Sequence, residues 1–206
     1  PPPKACGYAK IVTPTHGPVI INEVAWMGSK TSASDEWIEL KNISETDATV
    51  SGWQLLSKRG NVSAVLPQGA IIPAHRFYLL ERTDDNSVSN ISADFIFVGS
   101  IANADDGLRL YDGNCKVADD ADASPSWPAG NATNRLTMER ARNFSWHDYN
   151  GTEINNIFGT PRVENSAPPL IPAGSAHGGS VSSAPPVSVP AAPSQPTSAT
   201  PSSVAA

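Results

Sequence analysis

Carboxylates are the residues of this chain with the most chemistry to offer. Glu36 and Glu39 stand three apart in the alternating stretch Glu36-Trp37-Ile38-Glu39-Leu40-Lys41-Asn42. On a strand they face opposite ways, so the two build no paired acid/base site. Glu23, brought in from a neighbouring strand, could pair with one of them as a glycosidase-like couple. The competing reading is structural. Glu23, Glu81 and Glu139 each lie in an apolar context, with Arg82 and Arg140 nearby. A half-buried carboxylate needs a partner, and an Arg fork meeting at least one of these acids across strands is the expectation. Asp105, Asp106, Asp119 and Asp120, with Asp122, could supply oxygens to calcium. Their spacing is not that of an EF-hand loop, and solvated turn acids are the plainer account. His16, His75, His147 and His177 are scattered and form no HExxH. No GxSxG, P-loop or GxGxxG occurs. Nothing gathers nucleophile, base and oxyanion stabiliser, so neither an enzyme nor a cofactor is expected.

Cysteines and tryptophans offer other kinds of function. Cys6 lies in an N-terminal arm that would otherwise fray, and Cys115 follows the turn Asp112-Gly113-Asn114. With no CxxC partner, metal-finger and thioredoxin chemistry are out. A disulfide tying arm to domain is the preferred use of the pair in an oxidising compartment; two independent thiols are the alternative. Trp37 and Trp53 sit in strand-like runs and are expected in the core. Trp26, Trp127 and Trp146 lie nearer loops, where they could stack on sugars or anchor a partner, or instead cap the ends of the fold. Six Asn-x-Ser/Thr sequons, at Asn42, Asn61, Asn90, Asn131, Asn143 and Asn150, are what a chain rich in Asn, Ser and Thr forms by composition.

The elements that must position these residues are short strands. Val19 to Ala25 is a β-branched run, Glu36 to Asn42 alternates, and Trp53 to Ser57 follows Gly52. Asn61 to Leu66, Phe77 to Glu81, Asp94 to Val98 and Leu108 to Tyr111 complete the clearer strands, and Leu136 to Arg140 a late one. Asp112-Gly113-Asn114 signals a hairpin into Cys115-Lys116-Val117. No helical period persists, and turn signals every eight to twelve residues argue for a sandwich or barrel. Beyond Asn165 there is no Asp, Glu, Lys or Arg, and large apolar groups are scarce. Such a composition cannot offset the entropy of ordering, so 166–206 is expected to be a disordered Pro/Ser/Ala-rich stalk. Residues 1–16 form the arm and 17–165 the folded domain. The net charge of −6 and the absence of a basic block give no reason to expect nucleic acid. The small basic groups, Lys58-Arg59 and Arg135 with Arg140 and Arg142, lie near acids.

Strung together, several of these pieces resemble one family. Ile20-Ile21-Asn22-Glu23-Val24-Ala25-Trp26-Met27-Gly28, Asp35 to Asn42, and Ser51-Gly52-Trp53 with Leu55 resemble a lamin tail domain of the bacterial type. The likeness continues in order through Ile72-Pro73-Ala74, Phe77 to Arg82, Gly107 to Leu110, Trp127 to Gly130, Met138-Glu139-Arg140 and Gly159-Thr160-Pro161. The resemblance implies an all-β, immunoglobulin-like β-sandwich with no catalytic residues to carry over. Its nuclear relatives follow a coiled coil and take part in binding chromatin; this sequence has neither heptads nor a basic patch, so those roles do not transfer. Bacterial relatives are parts of exported or surface proteins, some joined to nuclease or phosphoesterase modules.

The expected function is therefore a non-enzymatic structural or interaction module of an exported or cell-surface protein, binding a protein or other surface component. The alternative is an accessory domain of a larger exported enzyme, a nuclease or hydrolase whose catalytic module lies elsewhere. Pro1-Pro2-Pro3-Lys4 has the look of chain interior or a processed start, no apolar run could span a bilayer, and the tail suits a linker to a further domain or anchor.

Overall fold

A computed structural model describes residues 4–9 and 16–169. Twelve strands follow in chain order: β1 (Val19–Ala25), β2 (Trp37–Asn42), β3 (Ala48–Thr49), β4 (Gln54–Ser57), β5 (Ser63–Val65), β6 (Ile71–Ile72), β7 (Phe77–Arg82), β8 (Phe95–Phe97), β9 (Ala104–Tyr111), β10 (Val117–Ser126), β11 (Met138–Arg140) and β12 (Trp146–Asp148). A six-stranded sheet in the order β12-β11-β1-β2-β7-β8 packs on a four-stranded sheet in the order β10-β9-β4-β5, and β3 pairs with β6. All pairings are antiparallel except β7 with β8.

The interior is what period two dictates. Val24, Ile38, Leu40, Leu80 and Met138 meet Leu55, Leu108, Leu110, Ala121 and Ala123 in one apolar cluster. Each such large side chain, fully buried, contributes about 1.5–3 kcal/mol. A bulge in β1 between Ile21 and Glu23 lets Ile21 and Val24 both reach this interior, while Glu23 turns to the other face. That other face is not wet. Ala25, Trp37 and Leu79 pack there against Val88 and Ile157, which arrive from the connections after β7 and β12. β1 is consequently buried along its whole length.

Several expectations need correction. The acids of 119–122 lie within β10, where Ala118, Asp119, Ala121 and Ala123 are buried. β9 starts at Ala104, earlier than Leu108, and β12 carried no apolar run to announce it. Trp53 lies just before β4 and is half-buried rather than central. Asn42, in a sequon, is fully buried, its side-chain amide donating to the carbonyls of Thr46 and Ile72. The domain runs past Asn165: Ser166 donates to Glu139, and Ala167 accepts from the Asn150 amide. The expected disorder of the stalk falls, from residue 170 on, outside the described residues.

Candidate functional site

Three carboxylates do converge. Glu139 on β11, Glu23 on β1 and Glu39 on β2 are direct cross-strand neighbours on the outer face of the six-stranded sheet, and His147 on β12 extends the row. The three acids have no exposed surface. What covers them is the segment 159–166, a strap that crosses the strands. Thr160 donates its N–H to both oxygens of Glu23 at 3.0 and 3.2 Å. The Arg162 N–H donates to Glu39, which also accepts from the Asn22 amide at 2.9 Å. Ser166 donates its N–H and hydroxyl to Glu139. Asn165 closes the strap by donating to the carbonyls of Asn22 and Arg140. A Cβ at Gly159 would press on the Glu23 carboxyl and the Thr137 side chain and force both to shift.

The row holds protons. Burial, followed by the charges of Glu139 and Glu39, pushes the Glu23 carboxyl well above the usual carboxylate range. Burial raises Glu39 to about 8 against the pull of the Arg162 N–H and the Asn22 amide. The geometry agrees. The Thr160 hydroxyl lies 3.0 Å from Glu23 and 2.5 Å from Glu139, yet it carries one hydrogen. The proton retained by Glu23 supplies the hydrogen for the second contact. All six oxygens are occupied by donors of the fold, so the imagined glycosidase-like pair has neighbours but no access to substrate.

The arginines do not serve these acids. Arg140 follows Glu139 in the strand and so points to the opposite face. There it donates to Asp119 at 2.7 Å and to the carbonyls of Ile21 and Asp120, with its guanidinium 3.8 Å from the Trp146 ring. Asp119 also accepts the Ile21 N–H at 2.7 Å and meets His16, which stacks on Phe144. This ties β1, β10 and β11 together. Glu81 accepts the Ser87 N–H, and burial raises it to about 7.

The calcium candidates are dispersed. Asp105 is exposed and paired with Lys58 at 2.6 Å. Asp106 is buried and accepts the N–H groups of Arg59 and Ala102. Asp119 is committed to Arg140, and Asp120, one residue on, faces the other way. No group of three such side chains placed to hold a metal ion forms among the described residues. Two binding candidates are likewise corrected. Trp26 and Trp127 are buried and stacked with ring centres 6.3 Å apart. Their indole N–H groups donate to the carbonyls of Ala129 and Ala102. They hold loops to the end of the sandwich, as large aromatics with one polar edge do well. Trp146 is half-buried beneath Arg140.

At that same end lies a hollow of about 540 Å³ between the β1–β2 loop, the end of β7, and the segments before β9 and β11. Glu36, Arg82 and Arg135 bring charge to it; Met27, Ile101 and Ala132 bring apolar wall. Glu36 accepts the Ile101 N–H at 2.8 Å and lies 3.4 Å from Arg82. Burial raises its carboxyl to about 7.

Compared with known families, residues 13–156, well over half of the chain, match the model for the Lamin Tail Domain. The chain belongs to the lamin tail domain family. That membership agrees with the immunoglobulin-like sandwich described above and makes the domain a non-catalytic structural or interaction module. No curated protein matches the sequence. The whole strap that seals the glutamate row in this lamin tail domain lies beyond the matched residues.

The lamin tail domain here also carries an N-terminal arm. Cys6 and Cys115 form a disulfide with Cα atoms 5.3 Å apart. The arm lies on the outer face of the four-stranded sheet: Cys6 donates to Gln54, Ala9 donates to the Tyr111 hydroxyl, and the Tyr8 ring covers Arg109 at 4.3 Å. Burial against that face raises the Tyr8 hydroxyl to about 12. Gly107 leaves the room that the Tyr8 hydroxyl occupies.

Proposed function

We propose that this lamin tail domain is a non-enzymatic interaction module of an exported or cell-surface protein. The Cys6–Cys115 disulfide carries the reading. Bonds of this kind persist in oxidising compartments and are rare where glutathione keeps thiols reduced. The acids support it from another side. Where they gather, under the strap, they accept hydrogen bonds from the fold and meet no solvent. A domain of this kind acts through what its surface touches, and loops at the end of a rigid sandwich are the usual place for contact.

The test is the native redox and labelling state. Protein recovered from its own cells is alkylated without reduction, and intact cells are treated with a membrane-impermeant amine label. The expected result is no alkylated Cys6 or Cys115, together with labelling of surface lysines such as Lys30 or recovery from the medium. Two alkylated thiols in protein that the label cannot reach would overturn the reading.

A further inference from the structure

We infer that the hollow at the loop end of the sandwich is a binding site for the free α-carboxylate of a peptide chain, seated between Arg82 and Arg135. The inference rests on the interaction-module reading and gives it a ligand chemistry.

The donors come first. A guanidinium has five N–H groups in a fixed fork, shaped for a carboxylate. Arg82 spends few of them. Its contact with Glu36 is long, 3.4 Å, and its buried Nε has no partner. Arg135 gives Nη1 to the Met27 carbonyl, and its remaining donors have no acceptor in the described fold. A left-handed backbone, φ 60°, holds Arg135 at this wall. Leaving the buried Arg82 Nε without an acceptor is costly, and an oxyanion in the hollow suits both it and the solvent-facing donors of Arg135.

Charge and shape narrow the class. Glu36 is the one acid among the lining residues, against two arginines. The surplus suits a single negative charge. No aromatic ring lines the hollow, so a sugar ring finds no stacking platform. Met27, Ala33, Ile101 and Ala132 offer an aliphatic wall for a small terminal side chain. A second hollow of about 430 Å³ begins on the other side of Arg135, lined by Lys30, Leu136 and Phe158. A peptide that places its terminus against Arg82 can continue over Arg135 into this second space. A free small acid would have no use for it.

The experiment is a titration of the ¹⁵N-labelled chain, disulfide intact, with N-acetyl-Ala-Val bearing a free carboxylate, followed by amide chemical shifts. Its amidated form, glucuronate and sulfate are titrated in parallel. The free dipeptide is expected to shift the amides of Ile101 and Ala102, and amidation to weaken binding by about tenfold or more. Arg135→Gln should produce the same loss with the fold unchanged, and Arg82→Gln a similar loss where it folds. Equal binding of the amide, tighter binding of glucuronate or sulfate, or no shift in the hollow would each overturn the proposal. A surface-labelled protein that ignores carboxylates would remove this ligand and leave the interaction module standing. A reduced, unlabelled protein would remove the latter whatever the titration shows.

Discussion

Replacing Glu39 by Gln isolates the conflict on which the outer face is built. Burial favours the neutral carboxyl, while the N–H of Arg162 and the amide of Asn22 favour the ion. Burial wins, holding Glu39 at about 8 against an ordinary 4.5. Between those values the folded chain keeps a proton that the unfolded chain releases. Stability therefore falls as pH rises through this window, by about 1.4 kcal/mol per pH unit for one group. From about pH 5 to about pH 8 that integrates to roughly 4 kcal/mol. It is fully present below the unfolded value and gone above the folded one. Gln carries no such proton, so Glu39→Gln should flatten the dependence by about that amount. A uniform loss of about 1–2 kcal/mol is expected on top, because either the Arg162 N–H or the Asn22 amide then faces an amide N–H₂. Urea denaturation at several pH values, followed by the fluorescence of buried Trp37 with the disulfide intact, separates slope from offset. Parallel lines for the two proteins, or wild-type stability that climbs over this range, would refute the reasoning and mean that the strap donors outweigh desolvation.

Other perturbations have equally definite outcomes. Gly99→Ala places a Cβ onto the Asn61 carbonyl at φ 114°, and should cost at least about 3 kcal/mol in thermal unfolding; a near-neutral result would contradict the approach of those two segments. Arg140→Met strands Asp119 in the interior and should cost about 3–5 kcal/mol, with the double change Asp119→Ala/Arg140→Met recovering part of it in a double-mutant cycle. Cys6→Ser, or reduction of the native bond, opens a closure spanning 109 residues and should lower stability by about 4 kcal/mol, with the same loss in Cys115→Ser. Unequal losses in the two serine variants would point to a role for one thiol outside the bridge.

Much of the sandwich was legible because one side of most strands is apolar. β1 was read end to end from its β-branched run, and β2, β4, β7 and β8 to within a residue or two. β10 escaped because its buried positions are alanines and an aspartate, while Asp119, Asp120 and Asp122 look like a loop. The pairing of Arg140 with Glu139 was excludable in advance. Adjacent residues on a strand face opposite ways, which puts Arg140 and Glu139 on different sides of the sheet. Beyond Gly159-Thr160-Pro161 the strap left little trace in the pattern of side chains, since half of its docking is through backbone N–H groups. Its physical signal was indirect: three glutamates at buried strand positions, with Lys41 the cation two residues from Glu39 spent on Glu164, require neutral or backbone donors from somewhere else in the chain. The loop-end hollow was hidden for a similar reason. Arg82, Arg135 and Glu36 are far apart in sequence and meet only through the topology.

The position of the strap in the chain sets an order of events. Thr160, Arg162 and Ser166 follow all twelve strands of the described residues, so during synthesis those strands leave the ribosome before the residues that seal the glutamate row. Until then the Glu23 and Glu39 carboxyls stay hydrated and ionised, side by side on adjacent strands. Final closure is accompanied by proton uptake from the surroundings. An acidic compartment would thus favour the sealed state, and an alkaline one would oppose it.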